Sequence, residues 1–189
     1  FLIPPQTQKQ KRQRKKMVYH SSFNEVQGVQ LPCNMAVLPL KTKHKGPAPP
    51  SRNPGEMDVI DEALDFFKAN VLYRNFDVQG PADRVLIYLT YYIKYALTKI
   101  EKLGKADAEK ALIQLAGENF QVPGDAGFPF GGFFPNPANR QEAELIRSYF
   151  AQLRLEVGGR LAALVYAADP NVPSKWWICF NKRKFLNIV

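Results

Sequence analysis

With 189 residues, 46% hydrophobic and 23% charged, the chain has the composition of a folded protein and the length of one domain, enough to bury a core without disulfides or structural metal, and disorder throughout is excluded. The formal charge of +9 is unevenly spread, because Lys9, Lys11, Arg12, Arg14, Lys15 and Lys16 stand in the first sixteen residues, which hold no acid, and the rest of the chain carries +3. Two cysteines, Cys33 and Cys179, and two histidines, His20 and His44, fit no metal-ligand spacing, so a zinc-binding module is excluded and a reduced cytosolic protein is the default.

The run Lys11-Arg12-Gln13-Arg14-Lys15-Lys16 has the make-up of a nuclear address or a phosphate-binding arm. It stops at Met17, and Phe1 is not an initiator. Met17 is therefore read as the natural start, residues 1–16 as a basic disordered extension or an artefact, and 17–189 as a single helical domain. Within that domain, residues 17–56 form an arm and 57–189 the body. The arm holds Pro32, Pro39, Pro47, Pro49, Pro50 and Pro54 and no helical period, which predicts extended chain. Its apolar stretch Asn34 to Leu40 is expected against the core, whereas Lys41-Thr42-Lys43-His44-Lys45 with Gly46-Pro47-Ala48-Pro49 is expected exposed and stiff.

From Met57 the pattern changes. Ile60, Ala63, Leu64, Phe67 and Val71 recur at helical spacing, with Asp58, Asp61 and Glu62 at the front and Lys68 and Arg74 behind, which predicts an amphipathic helix aligned with its dipole. Gly80-Pro81 opens a second helix over 81–103, apolar on nearly every side through Val85, Leu86, Ile87, Tyr88, Leu89, Tyr91, Tyr92 and Ile93, and so expected to be enclosed by the others. A strand is the alternative on propensity, but the pattern runs on without a turn signal past ordinary strand length. The stretch Val85 to Ile93, bracketed by Arg84 and Lys94, is too short to span a membrane. A third helix is predicted over 107–116, closed by Gly117.

Residues 122–137 then form a loop dense in proline and glycine with Phe128, Phe130, Phe133 and Phe134. No Gly-Lys-Ser/Thr follows and no strand precedes it, so a phosphate loop is rejected, and the rings are expected to pin the loop to the fold or to a neighbour. Asn139 with Glu142 has the spacing of a capping box and opens a fourth helix, with a kink expected at Gly158-Gly159 and an end at Asp169-Pro170. The fold class is thus all-α, about five helices around a central one, plus the extended arm.

The last element, Pro173 to Phe185, sets Trp176 and Trp177 side by side ahead of Lys182-Arg183-Lys184. Tryptophan and arginine are the side chains most often found carrying interface energy, so the segment is a candidate partner surface. On a helix the two indoles diverge by about 100°, which sends one inward and the other to a rim or partner. The alternative is that both close a core while the cations complement a last-turn dipole. Catalysis, by contrast, lacks convergent groups. Both histidines lie in the arm, neither cysteine has a nucleophile's context, and Asp58, Asp61 and Glu62 are better read as helix-start acids than as a metal site. No cofactor is expected.

Several segments together resemble one family, subunit 3 of the actin-related protein 2/3 complex, which nucleates branched actin filaments. They are Tyr19-His20-Ser21-Ser22, Lys45 to Pro49, Asp58 to Ala63 with Phe67 to Val71, Ala82-Asp83-Arg84 with Leu86-Ile87-Tyr88, Pro123-Gly124, Gly127-Phe128-Pro129, Gln141-Glu142, Gln152-Leu153-Arg154, and Pro173 to Trp177 with Phe180, Lys182-Arg183 and Phe185. No single motif carries the match, and residues 1–16 have no counterpart in it. The resemblance implies a helical, non-catalytic subunit of a seven-subunit assembly, set chiefly beside actin-related protein 3, meeting actin filaments through the complex, and cytoplasmic. No nucleic-acid or membrane partner is implied; the competing reading is a nucleic-acid-binding or nuclear protein using residues 9–16. On physical grounds Trp176, Trp177, Lys182, Arg183 and Lys184 are expected to face an acidic actin-like surface, with Lys43, Lys45, Pro47 and Pro49 as a second contact.

Overall fold

The computed structural model describes residues 18–51 and 53–188; the readings of residues 1–16 and of Met17 lie outside them. Helix α1 (Val59–Asn70) starts where the Asp58 carboxylate accepts from the N–H groups of Ile60 and Asp61, each at 3.1 Å, while Asp61 returns a bond to the Asp58 N–H at 3.3 Å. This reciprocal cap satisfies donors that the first turn otherwise leaves open. Val59, Ile60, Ala63, Leu64 and Phe67 face inward, as their spacing requires.

Helix α2 (Pro81–Ile100) is the central element, with α1, α3, α4 and α5 in contact with it. Leu86, Leu89, Ile93, Ala96, Leu97 and Ile100 are buried on one face and Val85, Ile87, Tyr88 and Tyr92 on others, so the enclosed helix is observed and the strand alternative is not. It ends three residues short of the expected Leu103, whose N–H closes a turn on the Ile100 carbonyl at 3.0 Å. Its N-terminus is capped from a distance: Asn24 Oδ1 accepts from the Ala82 and Asp83 N–H groups at 3.0 and 3.1 Å. A Cβ on Gly80 would lie 2.5 Å from the Asn24 side chain, so this close approach needs glycine.

Helices α3 (Lys105–Gly117) and α4 (Arg140–Val165) pack against each other. Asn139 caps α4 through the Glu142 N–H at 2.9 Å. The second half of the expected capping box is redirected, since Glu142 accepts from the N–H groups of Ala138 and Cys33 rather than from Asn139. Where the sequence predicts a kink at Gly158-Gly159, α4 runs through both residues unbroken. A Cβ on buried Gly158 would make an ordinary contact with Leu112 Cβ at 3.4 Å, so this position faces α3 without requiring glycine. In the intervening loop Phe130 and Phe134 are buried, and Phe128 meets them edge-on at 5.8 and 5.5 Å, so the rings pin the loop to the fold.

The arm is extended, broken only by short 3-10 turns at Ser22–Glu25 and Pro32–Asn34. Cys33, Met35, Ala36, Val37, Leu38 and Leu40 are buried, and the Leu38 N–H donates to the Tyr149 hydroxyl at 3.1 Å. Two buried carboxylates hold the start of the arm. Glu62 of α1 accepts from Ser21 Oγ, Ser22 N–H and Ser22 Oγ at 2.6 to 2.7 Å. Asp83 of α2 accepts from the Ser21 N–H, His20 Nδ1, Asn24 Nδ2 and the Gln79 N–H at 2.8 to 3.0 Å. Burial alone would raise the Asp83 pKa, but these donors outweigh it and hold the carboxyl below its ordinary value. Glu62, read from sequence as a dipole partner, is thus a receptor that fixes the arm together with Asp83.

Candidate partner-binding surfaces

The C-terminal segment begins with α5 (Lys175–Ile178), a single turn, and continues through turns that link the Phe180, Asn181 and Arg183 N–H groups to the Trp177, Ile178 and Phe180 carbonyls at 3.0 to 3.1 Å. Its divergent side chains sort by direction. Trp177 is 8% exposed and stacks on Phe67 with centroids 5.9 Å apart, Lys68 Nζ lying 4.5 Å from the centre of its ring. Phe180 meets the same Phe67 edge-on at 6.1 Å. Farther on, Asn181, Phe185 and Leu186 are buried, and the Leu186 N–H donates to the Tyr73 carbonyl at 3.0 Å.

Ile178 and Ile188 also pack half-buried against the core, and the large and charged side chains that remain face out. Trp176 is 79% exposed, and Lys175, Cys179, Lys182, Arg183 and Lys184 are exposed with it. One indole therefore closes the core and its neighbour stands in solvent, where a tryptophan leaves a large apolar area in contact with water. Because α5 ends at Ile178, Lys182-Arg183-Lys184 does not form a last helical turn and does not complement a dipole. Among the described residues, only Lys182 of these three cations has a counter-charge near, Glu101 at 3.6 Å, and that pair is exposed, so it neutralises little.

The second predicted surface is a clamped loop. Leu40 and Ser51 close its neck, the Leu40 N–H reaching the Pro49 carbonyl at 3.0 Å and the Ser51 N–H the Leu40 carbonyl at 2.9 Å. From α4, Gln152 accepts from the Ala48 N–H at 2.9 Å and donates to the His44 carbonyl at 3.0 Å. Also from α4, Arg160 uses all five of its donors: two on Asp58 at 2.6 and 2.8 Å, one on Asp61 at 2.7 Å, one on the Lys41 carbonyl at 2.8 Å and one on Glu156 at 3.1 Å. Burial would lower the Arg160 pKa, yet the bonds and charges of Asp58, Asp61 and Glu156 raise it above its ordinary value. Burial would likewise raise Asp61, and its bonds to Lys41, the Asp58 backbone and Arg160 pull it down. Clamped so, the loop shows Lys43, Lys45 and Pro49 to solvent and half-buries Pro47, while Ala48 is buried and Lys41 is paired with Asp61.

The two surfaces do not merge. The loop is anchored at the N-terminus of α1 through Asp58, and the Trp176 segment rests on Phe67, nine residues along the same helix, a rise of about 14 Å. Sequence reasoning missed Arg160, which clamps the loop, and the receptor role of Glu62 and Asp83. Apart from Glu156 and Gln79, four residues from Arg160 and Asp83, their partners lie 40 to 119 residues away in the chain, beyond any local pattern. Among the described residues no cluster of three or more His, Cys, Asp or Glu has a metal-holding arrangement, and no helix is long and apolar enough to cross a membrane.

Comparison with known proteins gives this architecture a family. Residues 16–189 match the family described as P21-Arc, the ARP2/3 complex ARPC3 (21 kDa) subunit. The actin-related protein 2/3 complex subunit 3 of Dictyostelium discoideum is 59% identical over 172 residues, covering 90% of this chain and 98% of that protein. Subunit 3 of Arabidopsis thaliana is 49% identical, covering 92% and 99%, and that of Schizosaccharomyces pombe 48% identical, covering 89% and 97%. With a family match from the arm through Trp176 and beyond, the chain belongs to the ARP2/3 complex ARPC3 (21 kDa) subunit family.

Proposed function

We propose that this chain is a non-catalytic structural subunit of the actin-related protein 2/3 complex and supports nucleation of branched actin filaments in the cytoplasm. The observation that carries this is identity of 59% to a subunit 3 over 98% of that relative's length. The reading extends to actin-related protein 3 as the chief neighbour and to actin filaments met through the whole complex. Its non-catalytic part is supported by the state of the reactive groups. Burial, with Glu142 beside it, pushes the Cys33 thiol up to about 11, His20 is engaged by Asp83, and Asp58, Asp61 and Glu62 are taken up by Arg160 and the serines of the arm. The solvent-facing Trp176 with Lys182, Arg183 and Lys184 is the proposed contact with an acidic face of a neighbouring subunit, and Lys43, Lys45, Pro47 and Pro49 the second. In this reading residues 17–189 act as one helical domain.

The test is capture of the tagged full-length chain from a lysate of its source, with the bound proteins quantified by mass spectrometry. Actin-related proteins recovered in stoichiometric amounts are expected, and an intact lysate that yields none overturns the proposal. Binding of DNA by a chain beginning at Met17, lost on raising salt, would also count against the proposal.

A further inference from the structure

Arg84 stands in the first turn of α2, beside the Asp83 that holds the arm, and it is fixed from two sides. Its Nε donates to the Phe133 carbonyl at 2.6 Å and its Nη1 to the Asn34 carbonyl at 3.2 Å, so the guanidinium ties both the phenylalanine loop and the arm to α2. A guanidinium has five donors, and these bonds use two. Nη2 makes no hydrogen bond and is not one of the buried unpartnered atoms of the described residues, so the free end of the fork meets solvent. Arg84 lines an open hollow of about 260 Å³ there, together with Leu31, Asn34, Val78, Gln79, Gly80 and Pro81.

The hollow has a cation and no anion. Arg140, Arg147 and Arg160 each meet a carboxylate of their own chain at 2.6 to 2.8 Å, whereas Arg84 forms no ion pair among the described residues. Asp83, its neighbour in sequence, is spent on His20, Ser21, Asn24 and Gln79. Burial, the larger cause, holds the Arg84 pKa below its ordinary value against the opposing charge of Asp83, so the group has lost water without gaining a partner. Beside it Leu31 is 50% exposed and Val78 half-buried. Pinning two backbone segments explains Nε and Nη1. It does not explain a fork left open next to uncovered apolar side chains.

We infer that this hollow receives an aspartate or glutamate side chain of a neighbouring protein, its carboxylate bonded to the free end of the Arg84 fork and its stem covering Leu31 and Val78. The inference rests on the proposed place of the chain in an assembly and adds a contact to it. The planar fork matches a carboxylate in shape and charge. Two carbonyl bonds already hold it in position, so little side-chain freedom remains to be lost on docking. A phosphate fits less well, because Arg84 is the only cation lining the hollow. A free small acid would gain little cover from so open a site. The contact is separate from the Trp176 surface, since Lys182 meets Glu101 just past the far end of α2, about 25 Å along the helix from Arg84.

Leu31→Glu tests the hollow without removing either bond of Arg84, and Leu31→Gln is its uncharged control of equal size. In competition with the unaltered full-length chain for incorporation into the complex, Leu31→Glu should fall at least about tenfold behind Leu31→Gln, because its carboxylate occupies the fork and repels the incoming acid. Both variants should keep the urea midpoint and far-UV spectrum of the unaltered chain. Arg84→Met should also lower incorporation by roughly tenfold or more; should it fail to fold without its two carbonyl bonds, the Leu31 pair decides alone. Equal incorporation of Leu31→Glu and Leu31→Gln overturns the docking site and leaves the assembly standing, because the unaltered chain still enters it. An unaltered chain that recruits no actin-related protein is a different failure, which overturns the assembly and this contact with it.

Discussion

Replacing each tryptophan of the C-terminal pair in turn gives the sharpest test of how the segment divides its work. Trp177 is 92% removed from solvent, stacks on Phe67 and lies under Lys68. Truncating a buried tryptophan to alanine costs about 3 to 5 kcal/mol, part transfer and part cavity, and the lost stacking belongs to that range rather than adding to it. With a urea slope of about 2 kcal/mol per molar, Trp177→Ala should lower the unfolding midpoint by roughly 1.5 to 2.5 M. Trp176, 79% exposed, should shift stability by no more than about 0.5 kcal/mol when changed to alanine. If it contacts a partner, that same change should weaken incorporation into the complex by about 30-fold, the effect of a 2 kcal/mol interface residue. Far-UV circular dichroism in urea measures the first quantity and competition with the unaltered chain for incorporation the second. Each single variant keeps one indole, so its emission also reports that indole's surroundings, red-shifted for Trp176 and blue-shifted for Trp177. A loss below about 1 kcal/mol for Trp177→Ala, or above about 2 kcal/mol for Trp176→Ala, refutes the assignment of core and surface.

Three further outcomes are expected. Changing Lys182, Arg183 and Lys184 together to Glu should leave the far-UV spectrum unaltered and reduce incorporation roughly tenfold, more at low salt than at high; collapse of the helical signal would make these residues structural, and an unaltered branching rate would make them idle. Gly46→Ala should cost about 1 to 3 kcal/mol by urea unfolding, because the added Cβ would overlap Gln152 Oε1 and lie 2.8 Å from Gln152 Cβ and would dislodge the clamp on Ala48 and His44; an unchanged midpoint would show that the clamp is not needed. Asp83 has a folded pKa below its ordinary value, so its stabilisation is fully present above that ordinary value and is lost as pH falls through the folded one. Asp83→Asn should therefore flatten the decline of the urea midpoint between about pH 5 and pH 2, and an equally steep decline in the variant would exclude Asp83 as a source of it.

What could be read from sequence was whatever the chain writes locally. The apolar spacing from Ile60 to Val71, the all-round apolar face of α2 and the cap at Asn139 are each written in neighbouring turns, and those elements emerged as expected. The divergence of Trp176 and Trp177 also follows from helical geometry, though which ring turns inward depended on Phe67, more than a hundred residues earlier. Other features are written across the chain. Asn24 caps a helix starting at Pro81, Arg160 binds Asp58, and Glu62 holds Ser21, and none of these pairings leaves a periodic trace. The glycine pair in α4 sits in an unbroken helix, and neither glycine is required there by a close neighbour.

The contrasting positions of the two cysteines make the chain ready for site-selective chemistry. Cys33 is 2% exposed with its thiol raised to about 11, so at neutral pH it offers almost no thiolate to an alkylating reagent. Cys179 is exposed, three residues from Trp176 and three from Lys182. A maleimide dye added to the unaltered protein should therefore mark a single position, inside the proposed contact. Its quenching or anisotropy would then follow docking of that face directly, without engineering a reporter into the sequence.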